Sequence, residues 1–350
     1  INLADIKQVY PLDSVDIAGN VFVNIISQGY MDLKKNIIPE TSATITMKNG
    51  YYKLWSYPIP LEQINVETYI NSKTGSLKDL SIQILPISFT LAGEPFFLNA
   101  DFKNFNDIKY AVRSNGRLNL APLYKIFAIE GMDIDGYVKT NINLAGLQSD
   151  AMQGRYSRLK NNGTIEIGNI NVNTELLPQT VQLKSGKFTF RREKLNVDQF
   201  LMEYGDNKIS IKGAINNIIN YLTASTEILK GKFDLKSNSL NINDFMAFDE
   251  ASLSSTTEAT TKGVVLLPDN VDMEFVGQVN NVLYDQIKLK NFKGNLRLKS
   301  GQLAMKNTGF ELAGMKTNMD INYRPLNPNK AKFDFNVKAD NFDIYRAYTE

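Results

Sequence analysis

The chain contains no cysteine and no histidine. Without cysteine there is no disulfide, zinc knuckle or thiol nucleophile, and the lack suits an oxidising compartment where unpaired thiols are a liability. Without histidine, the usual base for a serine or cysteine nucleophile and the commonest transition-metal ligand are both missing, so most hydrolase and metalloenzyme chemistries fall away. A charge excess of one sign is lacking too. The 39 Lys+Arg stand against 37 Asp+Glu, a net of +2 spread along the chain. No long-range field gathers phosphate backbones, so no nucleic-acid partner is expected. No stretch reaches the roughly 18 apolar residues of a membrane span. Residue 1 is Ile and no charged n-region precedes an apolar run, so a targeting signal is expected to lie outside this sequence.

What the chain does have is apolar residues in steps of two. It is 350 residues long and 43% hydrophobic, with 19 Phe and 16 Tyr, enough to bury a large apolar surface. Across residues 187–248, Phe188 and Phe190, Leu195 and Val197, Ile209 and Ile211, Phe233 and Leu235, then Leu240 and Ile242 fall on one side of successive short strands, with Lys, Asn, Asp and Ser on the other. Such alternation marks strands with one dry face and one wet face. The same pattern recurs from Asp16 to Ile26, from Thr41 to Lys48 and from Tyr51 to Tyr57, where Asn49-Gly50 predicts a hairpin turn. It continues through Lys332–Ala339, for on the order of twenty strands against three or four short helices. The clearest predicted helix is Ala121–Ile129, capped by Asn119 with Pro122 in its first turn.

Organisation follows from punctuation. Residues 1–145 read as an N-terminal β unit, the polar stretch 146–163 as a connection, and 164–350 as a second β region with a mobile Ser/Thr-rich loop at 251–263. Three passages resemble variants of one unit. Each has a strand ending near Gly93, Gly205 or Gly314 and a closing phrase, SNGRLNLAPLYKIF, SNSLNINDFMAF or ADNFDIYRAY. A chain that repeats hairpins without covering helices builds one long sheet. Each large side chain left exposed forgoes roughly 1.5–3 kcal/mol. Two arrangements avoid that loss: two sheets close as a sandwich, or one sheet curls and an apolar guest fills its trough.

Motifs for catalysis are fragmentary. Ser157-Arg158-Leu159-Lys160 and Lys73-Thr74-Gly75 match pieces of a penicillin-binding serine site, but in reversed order and without Ser-Asp-Asn. Asp133-Ile134-Asp135-Gly136 lacks the third ligand and distal Glu of a calcium loop and reads as a polar turn. Asp249 and Glu250 read as solvated, and no phosphate-binding glycine pattern follows a strand. The expectation is a non-enzymatic chain without cofactor or metal.

The runs LNVDQFLMEYGDNKISIKGAINNIINYL, LKGKFDLKSNSLNINDFM and PDNVDMEFVGQVNNVLYDQIKLKNFKGNLRLKSGQLAMKN resemble the C-terminal periplasmic region of AsmA-like (AsmA/TamB-type) proteins of bacterial envelopes. The resemblance covers most of the chain and is most specific over about 180–320. Its Asn/Lys/Ile-rich flavour is similar to members from Bacteroidota. The resemblance implies an all-β fold: an elongated, curled antiparallel sheet, taco-like, with an apolar concave face and a few short helices. It implies a periplasmic location and an inner-membrane anchor helix outside this sequence. It also implies a role in phospholipid movement between inner and outer membranes or in outer-membrane biogenesis. The family brings no catalytic motif. The groove residues expected here are Phe188, Phe190, Ile209, Ile211, Phe233, Leu235, Leu296, Leu298, Leu303 and Met305. The expected partners are phospholipid or another acyl lipid and the two membrane surfaces. An alternative is a structural or assembly factor for outer-membrane proteins acting through sheet edges. A third reading, a polysaccharide-binding β protein, predicts exposed aromatic rows on one face.

Overall fold

A computed structural model describes residues 1–5, 15–55, 59–121, 132–174, 179–224, 227–246, 267–327 and 330–340. The chain is all-β, an open mixed sheet rather than a closed barrel, with a few short helices. In chain order the first nine strands are β1 (Val15–Gln28), β2 (Glu40–Leu54), β3 (Leu61–Ser72), β4 (Ser81–Leu91), β5 (Glu94–Lys103), β6 (Lys109–Asn119), β7 (Met132–Ile134), β8 (Tyr137–Leu147) and β9 (Asn162–Thr174). The next five are β10 (Val181–Arg191), β11 (Lys194–Tyr204), β12 (Asn207–Ile215), β13 (Leu229–Asn241) and β14 (Val271–Tyr284). The last four are β15 (Ile287–Lys299), β16 (Gln302–Leu312), β17 (Met315–Asn327) and β18 (Lys330–Ala339). No helix among the described residues is long and apolar enough to cross a membrane.

Contacts divide the chain into two units that interleave in sequence. Unit 1 comprises Ile1–Ile129, Gly136–Glu166 and Thr189–Glu193, and unit 2 comprises Glu130–Asp135, Ile167–Phe188 and Lys194–Glu350. Residues 146–163, read from sequence as a connection between halves, lie inside unit 1, where they form a short helix (Gln148–Met152) and a 3-10 turn (Tyr156–Arg158). This segment is fixed by a buried pair, Asn161 and Tyr110, whose oxygen accepts from Asn161 Nδ2 at 2.9 Å. Burial pushes the Tyr110 hydroxyl pKa up, with the Asn161 hydrogen bond opposing it.

In unit 1, β1 to β6 pair each with the next, and β6 then pairs with β8, all antiparallel. In unit 2, β11 to β18 likewise pair in succession. One pair departs from the antiparallel expectation: β13 and β14 run parallel, with Phe233 beside Phe275. A parallel neighbour requires the chain to travel back along the strand between Asn241 and Val271 before re-entering the sheet. The return begins with a helix at Ile242–Met246. The predicted loop 251–263 and the pair Asp249 and Glu250 lie outside the described residues, as do nearly all of the helix read at Ala121–Ile129 and the phrase NFDIYRAY.

The turns follow the glycines. Ala92-Gly93, Ser300-Gly301 and Ala313-Gly314 all take positive φ at both positions, as two-residue hairpin loops between right-twisted strands require. Asn49-Gly50 does otherwise. The sequence predicts a hairpin there, but β2 runs straight through, and Asn49, at φ 52°, makes a bulge against β3. The reason lies on the neighbouring strand, where Gly19 (φ 121°) alone stands opposite the two bulged residues Asn49 and Gly50. A Cβ at Gly19 would lie 2.7 Å from the Gly50 Cα, so a glycine there lets the bulged backbone of β2 approach β1.

The closing phrases behave alike where they are described. β6 ends at Asn119 and β13 at Asn241, and in each case the next residue, Leu120 or Ile242, is already helical. In unit 2 a polar cluster secures this junction. Asn207, 1% exposed, donates from Nδ2 to Tyr204 O (2.9 Å) and Asp244 Oδ2 (2.7 Å), and its Oδ1 accepts from Asn241 N (2.6 Å).

Candidate functional site: an apolar face in unit 2

Because paired residues on adjacent strands point to the same side, the registers assemble rows across the sheet. One row runs Phe233, Phe275, Leu296, Met305, Ile321 and Phe335, from β13 to β18. The next runs Met273, Leu298, Leu303, Tyr323 and Phe333. A third begins with Phe200, Ile211 and Leu235 and continues through Gly277 and Gly294. At about 4.8 Å between strands, the first row is roughly 24 Å long. That exceeds the roughly 15 Å depth of one bilayer leaflet's hydrocarbon.

Eight of the ten expected groove residues lie on this face: Ile209, Ile211, Phe233, Leu235, Leu296, Leu298, Leu303 and Met305. Phe188 joins them through its ring, 6.2 Å from that of Phe200, the partner of Ile211. Phe190 is buried but belongs by its contacts to unit 1. Phe275, Met273, Ile321, Tyr323, Phe333 and Phe335 were missed. Their alternation is visible in sequence, but only the β13–β14 register sets Phe275 against Phe233 (rings 5.3 Å apart, stacked at 26°).

Glycines make room for these rings. Phe233 lies over Gly231 and Gly213. A Cβ on Gly231 would meet the ring at 2.5 Å, and one on Gly213 would come within 2.7 Å of it. Gly231→Val is expected to expel the Phe233 ring and lower stability by about 1–3 kcal/mol, with the fall in Phe233–Phe275 contact read by aromatic NMR shifts.

Exposure decides how dry the face is. Most of its side chains are only half-buried, and at β18 Phe335 is 67% exposed and Phe333 54%. Only 20 hydrophobic side chains are buried among the described residues of the whole chain. A sandwich core filled from both sides would leave large aliphatic residues almost inaccessible, and that is not the state of Leu235, Leu296, Leu298, Leu303 or Met305.

The opposite face is ionic. Lys232 pairs with Glu274 (2.8 Å), and Arg297 forks onto Asp272 (3.0 and 3.1 Å), with Lys299 alongside at 3.3 Å. An open depression of about 400 Å³ lies here, lined by Lys232, Asp234, Glu274, Val276, Asn295, Arg297, Ala304 and Lys306 together with Phe233, Phe275 and Leu296 of the first row. It is a dip between charged rows and holds no converging set of reactive groups.

The Arg297 hydrogen bond holds the Asp272 carboxyl below its ordinary value, and Lys299 adds to it. A depressed carboxyl stabilises the fold at pH above its unfolded value, near 3.9, and that contribution vanishes as pH falls through the folded value. Asp272→Asn is therefore expected to lower stability at neutral pH. The gap to the parent should begin to narrow as pH falls below about 4 and close only below the depressed folded value, which thermal melts across pH would check.

The discarded motifs are accounted for by geometry. Asp135 Oδ1 accepts from the backbone and side chain of Asn171 (3.0 and 2.7 Å), as a turn would use it. Ser157 lies in the 3-10 turn and is exposed. A scan against protein-family models, a search of curated proteins and a search of solved structures each found nothing that matches this chain.

Proposed function

We propose that this chain is a non-enzymatic lipid-handling module, and that the apolar face of unit 2 holds the acyl tails of phospholipids while their head groups stay in water. The observation that carries the reading is the set of half-buried apolar rows from β13 to β18, backed on the other face by paired charges. Each methylene laid on such a surface contributes about 0.8 kcal/mol. Side chains that are aliphatic or aromatic, with the Tyr323 hydroxyl as the one donor in the rows, let a tail slide without a fixed register. Binding is thus selective for tails over head groups, and direction of movement comes from elsewhere. The AsmA-like resemblance supports the same reading and extends it to a periplasmic, membrane-anchored protein serving outer-membrane biogenesis. The test is extraction of lipid from protein purified without detergent. Phospholipid at a fixed ratio supports the reading, and a lipid-free chain that also fails to bind a fluorescent fatty acid ends it.

A further inference from the structure

Four connections of unit 1 are joined at one end of its sheet: 29–39 after β1, 73–80 after β3, 104–108 after β5 and 148–161 after β8. Hydrogen bonds run from each to the next. Ile38 N donates to Gly75 O (2.9 Å) and Leu77 N to Asn36 O (3.3 Å). Phe105 N donates to Leu77 O (2.7 Å), and Ser149 donates from N and Oγ to the Asp107 carboxylate (both 2.9 Å). The end is therefore one surface rather than four independent loops.

Its side chains are sorted by charge and exposure. Tyr30, Met31, Leu33 and Met152 are 53–68% exposed. In the same connections Lys34, Lys35, Lys73, Lys78, Arg158 and Lys160 are exposed as well. The acids in these connections are all turned to partners. Asp32 accepts from Lys35 N (3.3 Å) and pairs with the Lys35 ammonium (3.6 Å), and Asp79 accepts from Ser72 Oγ (2.9 Å) and Thr74 N (2.7 Å). Asp107 holds Ser149, and Asp150 pairs with Arg155 and Arg158. Glu40, the first residue of β2, is the nearest exposed acid in sequence.

We propose that this end of unit 1 docks on an anionic lipid bilayer, with Tyr30, Met31, Leu33 and Met152 entering the headgroup zone and the lysines lying against lipid phosphates. Two features favour a bilayer over a protein partner. Protein interfaces are depleted of lysine relative to the rest of a surface, whereas here exposed lysines share the connections with the apolar tips. Tyrosine and aliphatic tips beside basic residues are also the composition that settles at a membrane–water boundary. The inference goes beyond the acyl-chain reading and does not depend on it, because it uses other residues in the other unit.

Flotation of the whole chain with vesicles of phosphatidylcholine, alone or mixed with phosphatidylglycerol, tests it. The parent is expected to float with the mixed vesicles, less so as salt rises, and to stay down with the neutral ones. Lys34→Ala and Lys35→Ala should each weaken binding about fivefold. Leu33→Ser combined with Met31→Ser should abolish flotation, and both positions are exposed enough that folding is unaffected. Asn295→Ser, on the ionic face of unit 2, should float like the parent. A parent that does not float, tip variants that float normally, or loss of flotation in Asn295→Ser would each overturn the proposal.

Discussion

Sprayed from native buffer into a mass spectrometer, the parent chain is expected to arrive with bound phospholipid, and Leu296→Lys to arrive empty. Leu296 sits mid-row between Phe275 and Met305, so a lysine there puts an ammonium where a tail would lie. A chain laying ten methylenes on the rows would gain roughly 8 kcal/mol before the entropy of immobilisation is subtracted. A central unpaired charge breaks that contact into two short halves, and the expected loss of affinity is at least about a hundredfold. Asn295→Lys is the matched control: same strand, neighbouring residue, opposite face, beside Val276 and Lys306. It should keep its lipid. If both variants retain lipid, or both lose it while folded, the tails do not lie on this face.

The second large effect is expected at Asn207. Its side chain makes three hydrogen bonds inside a site that is 1% exposed, and it joins the β11–β12 hairpin to the start of the return segment through Asn241 and Asp244. Asn207→Ala removes all three and leaves the Asn241 amide and an Asp244 oxygen with one partner fewer. A net of about 1 kcal/mol per bond, plus the desolvation of groups left behind, gives roughly 3–4 kcal/mol. On a chain of 350 residues that is a fall in melting temperature of about 5 °C. Asn207→Asp should be worse at neutral pH, since it sets a second carboxylate against Asp244. It should recover in acid as one of the two takes a proton. Equal stability of the Asp variant and the parent at neutral pH would show that the cluster does not pin the helix start.

How much of this was legible beforehand differs by level. Alternation in Phe233 and Leu235, Leu296 and Leu298, and Leu303 and Met305 is a local property, set by the two-residue period of a strand, and it placed these six on one face without any knowledge of their neighbours. The hairpins at Gly93, Gly205 and Gly314 were legible for the same reason: each is a glycine where the chain must reverse, and reversal is local. Asn49-Gly50 shows the limit. The same dipeptide serves a turn or a bulge, and the choice rests on Gly19, thirty residues away in sequence and in contact only once β1 has paired with β2.

What the amino-acid order settled, then, was the strand class, the two-sidedness of each strand and the exclusion of histidine and cysteine chemistry, because these depend on residue type and nearest spacing. What only the tertiary structure decided was which strand lies beside which. The parallel entry of β14 next to β13 brings Phe275 onto Phe233 and makes one continuous row out of two hairpin sets. The bonds between the connections of unit 1 likewise gather Tyr30, Lys78 and Met152 at one end. Both are pairings between residues far apart in the chain, fixed by the summed fit of many backbone hydrogen bonds. No short window of sequence carries that sum.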